Sequence, residues 1–177
     1  DLESIESLSG ITQTGEIMIY NNDSLTDLTG LNNLTTCEII GITSNDALVS
    51  LEGLNNLTTV NGELSLHNNS SLQTLEALSN LKRITGTAEI GPGGKLWIQE
   101  NPLLTDLTGL NNLEIVQKIQ ISNNEGLTSL SGLENITVID GKSVNTSNYL
   151  QISGNNSLIS LNGLHNLTSL GYYDAAS

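Results

Sequence analysis

The chain is 177 residues long, lacks phenylalanine, and carries five basic against nineteen acidic residues for a formal charge of -14. So acidic a surface repels phosphate, which argues against nucleic acid and anionic membranes as partners. The single cysteine leaves no internal disulfide, no apolar run is long enough for membrane insertion, and the core has to be aliphatic.

From its first residues the chain repeats itself. A block opening on a leucine restarts at Leu2, Leu25, Leu48, Leu72, Leu104, Leu127 and Leu158, in steps of 23, 23, 24, 32, 23 and 31 residues. The shared pattern is L-x-x-L-x-G-L-x-N-L-T-x-V, followed by I-x-I-x-x-N-x-x-L. A unit this short cannot bury its own apolar side, so successive units stack as turns of a solenoid. The repeat runs from end to end without a linker, which predicts one domain over residues 1–177. A chain that opens inside a repeat reads as a piece of a longer surface protein, with further repeats or domains beside it.

The first strand signal is Gly15 to Tyr20, where apolar and polar residues alternate. Its equivalents are Ile40/Ile42, Leu64/Leu66, Leu96/Ile98, Ile119/Ile121 and Leu150/Ile152. Each strand returns only after a full circuit, so the pairing must be parallel. The predicted fold is mainly β: a β-solenoid of about seven coils of 23–24 residues with one main parallel sheet. The L-x-x-L-x-G-L stretch bends too often for a long helix and is read as short extended pieces and turns. Its glycine recurs at Gly30, Gly53, Gly109, Gly132 and Gly163, while Ser7 and Ala77 stand in the same place. Those two exceptions predict close packing or a tight bend rather than an obligatory positive φ. Cys37 aligns with Val60, Ile84, Val116, Ile139 and Leu170, and is expected to be a small buried core residue.

Two asparagine columns accompany the leucines. One comprises Asn22, Asn45, Asn69, Asn101, Asn124 and Asn155; the other comprises Asn33, Asn56, Asn80, Asn112, Asn135 and Asn166. A coil corner turns backbone donors and acceptors inward, and an amide side chain can satisfy both. Both columns are therefore expected to be inward structural ladders. Many of them fall in N-x-S/T sequons by virtue of the repeat; Asn145, inside an insertion, is the most accessible one. Thr35, Thr58, Thr137 and Thr168 form an outward row interrupted by Lys82 and Glu114, which raises ice binding as one alternative.

Two turns carry extra residues just before the strand, Thr85–Gly94 and Asp140–Asn148, expected to flank one rim of the sheet. Residues between the inward pairs form the outer sheet face, and among them Tyr20, His67, Trp97, Gln99, Tyr149 and Gln151 are the candidate ligand contacts. Exposed aromatics on a rigid sheet suit a protein or a glycan ligand. Catalysis is not expected. The acids are dispersed, His67 and His165 lie far apart, and no nucleophile–base arrangement or calcium-loop phrase occurs, so neither cofactor nor metal is predicted.

The phrases Leu54-Asn-Asn-Leu-Thr-Thr-Val-Asn-Gly-Glu-Leu-Ser-Leu66 and Leu78-Ser-Asn-Leu-Lys-Arg-Ile-Thr-Gly86 resemble the receptor L-domain family, relatives of the leucine-rich repeats. The resemblance covers about residues 2–170 and implies a right-handed coil with a flat parallel sheet. It also implies a non-catalytic recognition or adhesion module, extracellular or at the cell surface. Cysteine-rich modules of animal receptors are missing, and the regular N-N-x-x-L phrasing is more similar to prokaryotic cell-surface repeat proteins. The alternative role is a stalk or spacer.

Overall fold

A computed structural model of the chain describes residues 1–86, 93–139 and 149–171, with Tyr149 described in its backbone alone. The strands are β1 (Gln13–Tyr20), β2 (Thr36–Thr43), β3 (Thr59–His67), β4 (Arg83–Ile84) and β5 (Lys95–Gln99), followed by β6 (Ile115–Val116), β7 (Lys118–Ser122), β8 (Val138–Ile139), β9 (Tyr149–Ser153) and β10 (Ser169–Leu170). All pair in parallel within one ten-stranded sheet that does not close into a barrel. Among the described residues the only helical pieces are two single 3-10 turns, Glu6–Leu8 and Glu76–Leu78.

The sheet forks at β3. The first half of β3 pairs with β4, continuing to β6, β8 and β10, while its second half pairs with β5, continuing to β7 and β9. The cause is the extra chain between Ile84 and Lys95, which separates two segments that β1, β2 and β3 keep in one run. The inward rows stay in register through the fork: Ile17, Ile40, Leu64, Leu96, Ile119 and Leu150 in one, Ile19, Ile42, Leu66, Ile98, Ile121 and Ile152 in the next. Like side chains meet like on successive strands, and most of them are fully buried.

The leucine-rich stretch is a run of turns. Leu25, Leu28, Leu31 and Leu34 are buried at intervals of three, and Leu31 and Leu34 each donate a backbone N–H to the carbonyl three residues earlier, at 3.1 and 2.9 Å. The same bonds recur at Leu54, Leu57, Leu110 and Leu113. Three residues per turn bring every third side chain back to the same side, so the leucines point inward while the chain travels around the core.

The glycine column is closely packed, as expected, but its φ corrects the other half of the expectation. Gly30, Gly53, Gly109, Gly132 and Gly163 all have φ between 108° and 125°, a region that L side chains avoid. A Cβ on Gly109 would lie 2.1 Å from the Leu75 carbonyl oxygen of the neighbouring turn. Where Ser7 and Ala77 replace glycine, the backbone folds as the two 3-10 turns instead. The exceptions mark a second backbone solution, not tolerance of a side chain in the first. In the doublet that follows, Asn32, Asn55 and Asn111 accept from the amides of Gly30, Gly53 and Gly109 at 2.9–3.0 Å.

The asparagine columns part company. Asn45, Asn69, Asn101 and Asn124 are fully buried. In each, the backbone N–H donates to the side-chain oxygen of the next turn's asparagine: Asn45 to Asn69 at 3.1 Å, Asn69 to Asn101 at 3.2 Å, Asn101 to Asn124 at 3.0 Å, Asn124 to Asn155 at 2.9 Å. Their Nδ2 groups donate to strand carbonyls, as Asn101 does to Leu66 and Asn124 to Ile98. The second column is exposed, contrary to the inward placement expected. There each Nδ2 reaches a main-chain carbonyl of the neighbouring turn, Asn56 to Asn32 and Asn112 to Ser79 at 2.7 Å. Those residues follow the leucine turn on its solvent side, where only one amide hydrogen is needed. Stacking satisfies less in the first and last described turns, where Leu2 and Leu161 occupy leucine slots and Leu170 the slot of Cys37, Val60 and Ile139. Leu2, Leu161 and Leu170 are all exposed, Leu170 contrary to the buried column it aligns with.

Candidate functional site

Strands that alternate in and out present three parallel rows on the outer face. The first runs Glu16, Ile39, Glu63, Lys95, Lys118; the second Met18, Gly41, Ser65, Trp97, Gln120, Gln151; the third Tyr20, Thr43, His67, Gln99, Ser122, Ser153. Neighbouring strands lie about 4.8 Å apart, so residues one strand away are in reach of each other and those two strands away are not.

That spacing sorts the sequence candidates. His67 and Trp97 meet edge to face, ring centroids 4.0 Å apart at 70°. Trp97 donates from Nε1 to Gln99 Oε1 at 3.1 Å, and Gln99 Nε2 donates to the Glu100 carboxylate at 2.8 Å. Tyr20 stands on β1, two strands from His67 in its row, and is exposed. Gln151 lies two strands beyond Trp97, also exposed. The Tyr149 side chain, most of the Thr85–Gly94 insertion, the Asp140–Asn148 insertion with Asn145, and the tail after Gly171 lie outside the described residues.

Sequence reasoning missed Lys95 as a site member. Its ammonium sits 3.4 Å from the centroid of the Trp97 ring, a cation–π contact. The signal was there: a lysine two residues before a tryptophan on one strand must share its face. Lys95 and Lys118 are register partners and each only 8% exposed. Burial holds the Lys95 ammonium below its ordinary value, with Lys118 adding to the effect and Glu63 opposing it. His67 is likewise held down, chiefly by burial and then by Lys95, while Glu100 pulls the other way. His67 Nε2 is shielded from water without a hydrogen-bond partner.

The stem of the first insertion adjoins this cluster. Gln117, between β6 and β7, accepts through Oε1 from the amides of Gly86 (3.1 Å) and Gly94, and donates through Nε2 to the Gly86 carbonyl at 3.3 Å. One side-chain amide thus closes the notch where the sheet forks. A shallow groove of about 370 Å³ lies on the other arm, lined by Thr58, Thr59, Lys82, Arg83, Glu114 and Ile115. Among the described residues no group of histidine, cysteine and carboxylate side chains could hold a metal ion. Cys37 is buried, and desolvation pushes its thiol up to about 12, so it is no nucleophile.

The outer face thus carries one aromatic and cationic cluster on neighbouring strands of a parallel sheet. A family model described as the receptor L domain matches residues 36–125, and the chain belongs to that family. Receptor L domains are non-enzymatic ligand-binding modules of receptors and usually lie in their extracellular regions. The matched span holds His67, Lys95, Trp97 and Gln99 and leaves out Tyr20 and Gln151. Compared with curated proteins and with solved structures, the chain returns no match. No helix among the described residues is long and apolar enough to cross a membrane.

Proposed function

We propose that this chain is an extracellular or cell-surface recognition module that binds a protein or glycan ligand through the outer face of β3, β5 and β7. The observation that carries the reading is the stack of His67, Trp97 and Lys95 at the centre of that face, the one outward aromatic cluster among the described residues. Beside it Gln117 holds Gly86 and Gly94, the described ends of the first insertion. Tyr20, Tyr149 and Gln151 belong to the periphery of the same surface. The repeat, with its steps of 23 to 32 residues, further supports a right-handed coil of about seven turns. It also supports the reading of a single domain over residues 1–177, of the prokaryotic cell-surface repeat type.

Screening the chain against surface proteins and glycans, with Trp97→Ala and Trp97→Ala/Tyr149→Ala alongside, tests the site. Loss of an aromatic anchor at a binding hot spot weakens binding at least about tenfold. Variants that remain folded and keep every interaction of the parent would refute the assignment.

A stalk or spacer is the second reading, supported by asparagine ladders that tie each turn to the next. It predicts that the screen returns no ligand at all. The threonine row supports neither this reading nor ice binding in particular. Thr35, Thr58 and Thr168 donate their hydroxyls to carbonyls of the neighbouring turn at 3.0–3.1 Å, a structural use.

A further inference from the structure

His67 stands out because the fold leaves one of its nitrogens with nothing to do. Nε2 is shut off from water and unpartnered, a condition that costs stability in any buried polar group. A neutral imidazole meets that cost as a lone pair or a single N–H. An imidazolium would need acceptors on both nitrogens and would bring a full charge into the same dry space.

The charged groups around it decide what protonation does. From β5 comes the Lys95 ammonium, already resting on the Trp97 ring against which His67 packs. From β7 comes Lys118, next to Lys95 in register. β3 itself contributes Glu63, the register partner of Lys95, and β2 offers only Thr43, which carries no charge. The near anion on the His67 side is Glu100, at the turn after β5, where φ is 57°. Its carboxylate accepts from Gln99, which in turn accepts from Trp97 Nε1.

We propose that His67 is an acid-sensing switch for the sheet face: protonation drives its imidazolium away from Lys95 toward Glu100, which breaks the stack and releases the Trp97 ring. The relay from Glu100 through Gln99 to the indole gives the movement a path to Trp97. The switch regulates the site proposed above, and so rests on that reading for its biological use, though not for its chemistry. Because the neutral form is the one the fold favours, the stack is intact above the ordinary histidine range, about 6.5, and is lost as pH falls through the lower value of the folded state.

The chain has one tryptophan and two histidines, and His165 is exposed, so the test needs no ligand. Trp97 emission and the His67 ring resonances are followed together from about pH 8 to about pH 5, with far-UV circular dichroism monitoring the fold. The expected result is one emission transition that coincides with His67 titration, at a midpoint below about 6.5, while circular dichroism stays constant. His67→Gln abolishes the transition, His165→Gln preserves it, and Lys95→Met moves the midpoint up.

An emission curve that stays flat while His67 titrates would overturn the switch. So would a transition surviving in His67→Gln, one tracking loss of circular dichroism, or a midpoint unmoved or lowered by Lys95→Met. The ligand screen with Trp97→Ala fails or succeeds separately, so the loss of one reading does not hide the fate of the other.

Discussion

Replacing Asn124 by alanine measures what the inward ladder contributes. The side-chain oxygen of Asn124 accepts from the Asn101 backbone N–H at 3.0 Å, and its Nδ2 donates to the carbonyls of Ile98 and Ser122, both at 3.1 Å. Asn124 is fully buried, as is Asn101 beside it. Alanine strands the Asn101 N–H and removes a donor from the Ile98 carbonyl where water does not reach, while the Ser122 carbonyl keeps the Glu100 N–H at 3.1 Å. Each stranded group costs about 1–3 kcal/mol; local relaxation recovers part, so a loss of about 3 kcal/mol is expected. For a chain of this length that amounts to roughly 6–12 °C in Tm.

Asn112→Ala is the control. It too removes a bond, to the Ser79 carbonyl at 2.7 Å, but at an exposed position where water takes over, and should cost about 1 kcal/mol or less. Urea melts of both variants, read at unchanged m-value, give the comparison. Equal losses, or a loss below about 0.5 kcal/mol for Asn124→Ala, would show that burial does not set the value of a ladder asparagine.

Gly109→Ala should destabilise by about 3 kcal/mol or more, because its φ of 113° and the Leu75 carbonyl both oppose a Cβ; Ala77→Gly, in a 3-10 turn, should cost about 1 kcal/mol or less in the same melts. Cys37, with its thiol raised to about 12, should resist a thiol reagent near neutral pH in the folded chain and react at once in denaturant; fast native labelling would place it outside the core. Gln117→Ala should release the Gly86 and Gly94 amides. Faster hydrogen exchange confined to those two amides would support the clip, and unchanged exchange would remove it.

How far the sequence reaches follows from which interactions repeat. The pairs Ile40/Ile42 and Leu96/Ile98 alternate with polar residues, so strands and inward faces were legible. The fork was not. Its two-residue strands, such as Arg83–Ile84 and Ile115–Val116, are too short to show any period, and only hydrogen bonds to neighbouring turns define them. The split between asparagine columns was hidden for a different reason. Both are spaced alike, and only the turn geometry decides that Asn101 points in while Asn112 points out. At the site, period two placed Lys95, Trp97 and Gln99 on one face. That the Lys95 ammonium rests on the indole instead of in water depends on local burial, which no pattern in the chain encodes.

The repeats within this chain act as an alignment of the molecule with itself, and what varies in that alignment is released from the demands of the core. The inward rows hold isoleucine or leucine turn after turn because each slot has the same aliphatic walls above and below. The outward rows face no such demand, yet they do not drift at random among small polar residues. The first passes from Glu16 and Glu63 to Lys95 and Lys118, and the second places the sole tryptophan beside them. All five basic residues fall between Lys82 and Lys142, whereas the 81 residues before Lys82 contain none. Two nearly buried lysines side by side repel one another, and that repulsion is offset where Lys95 rests on the Trp97 ring and lies in register with Glu63. The middle of the sheet is thus where positive charge and the single indole meet, which is the surface the proposed site uses.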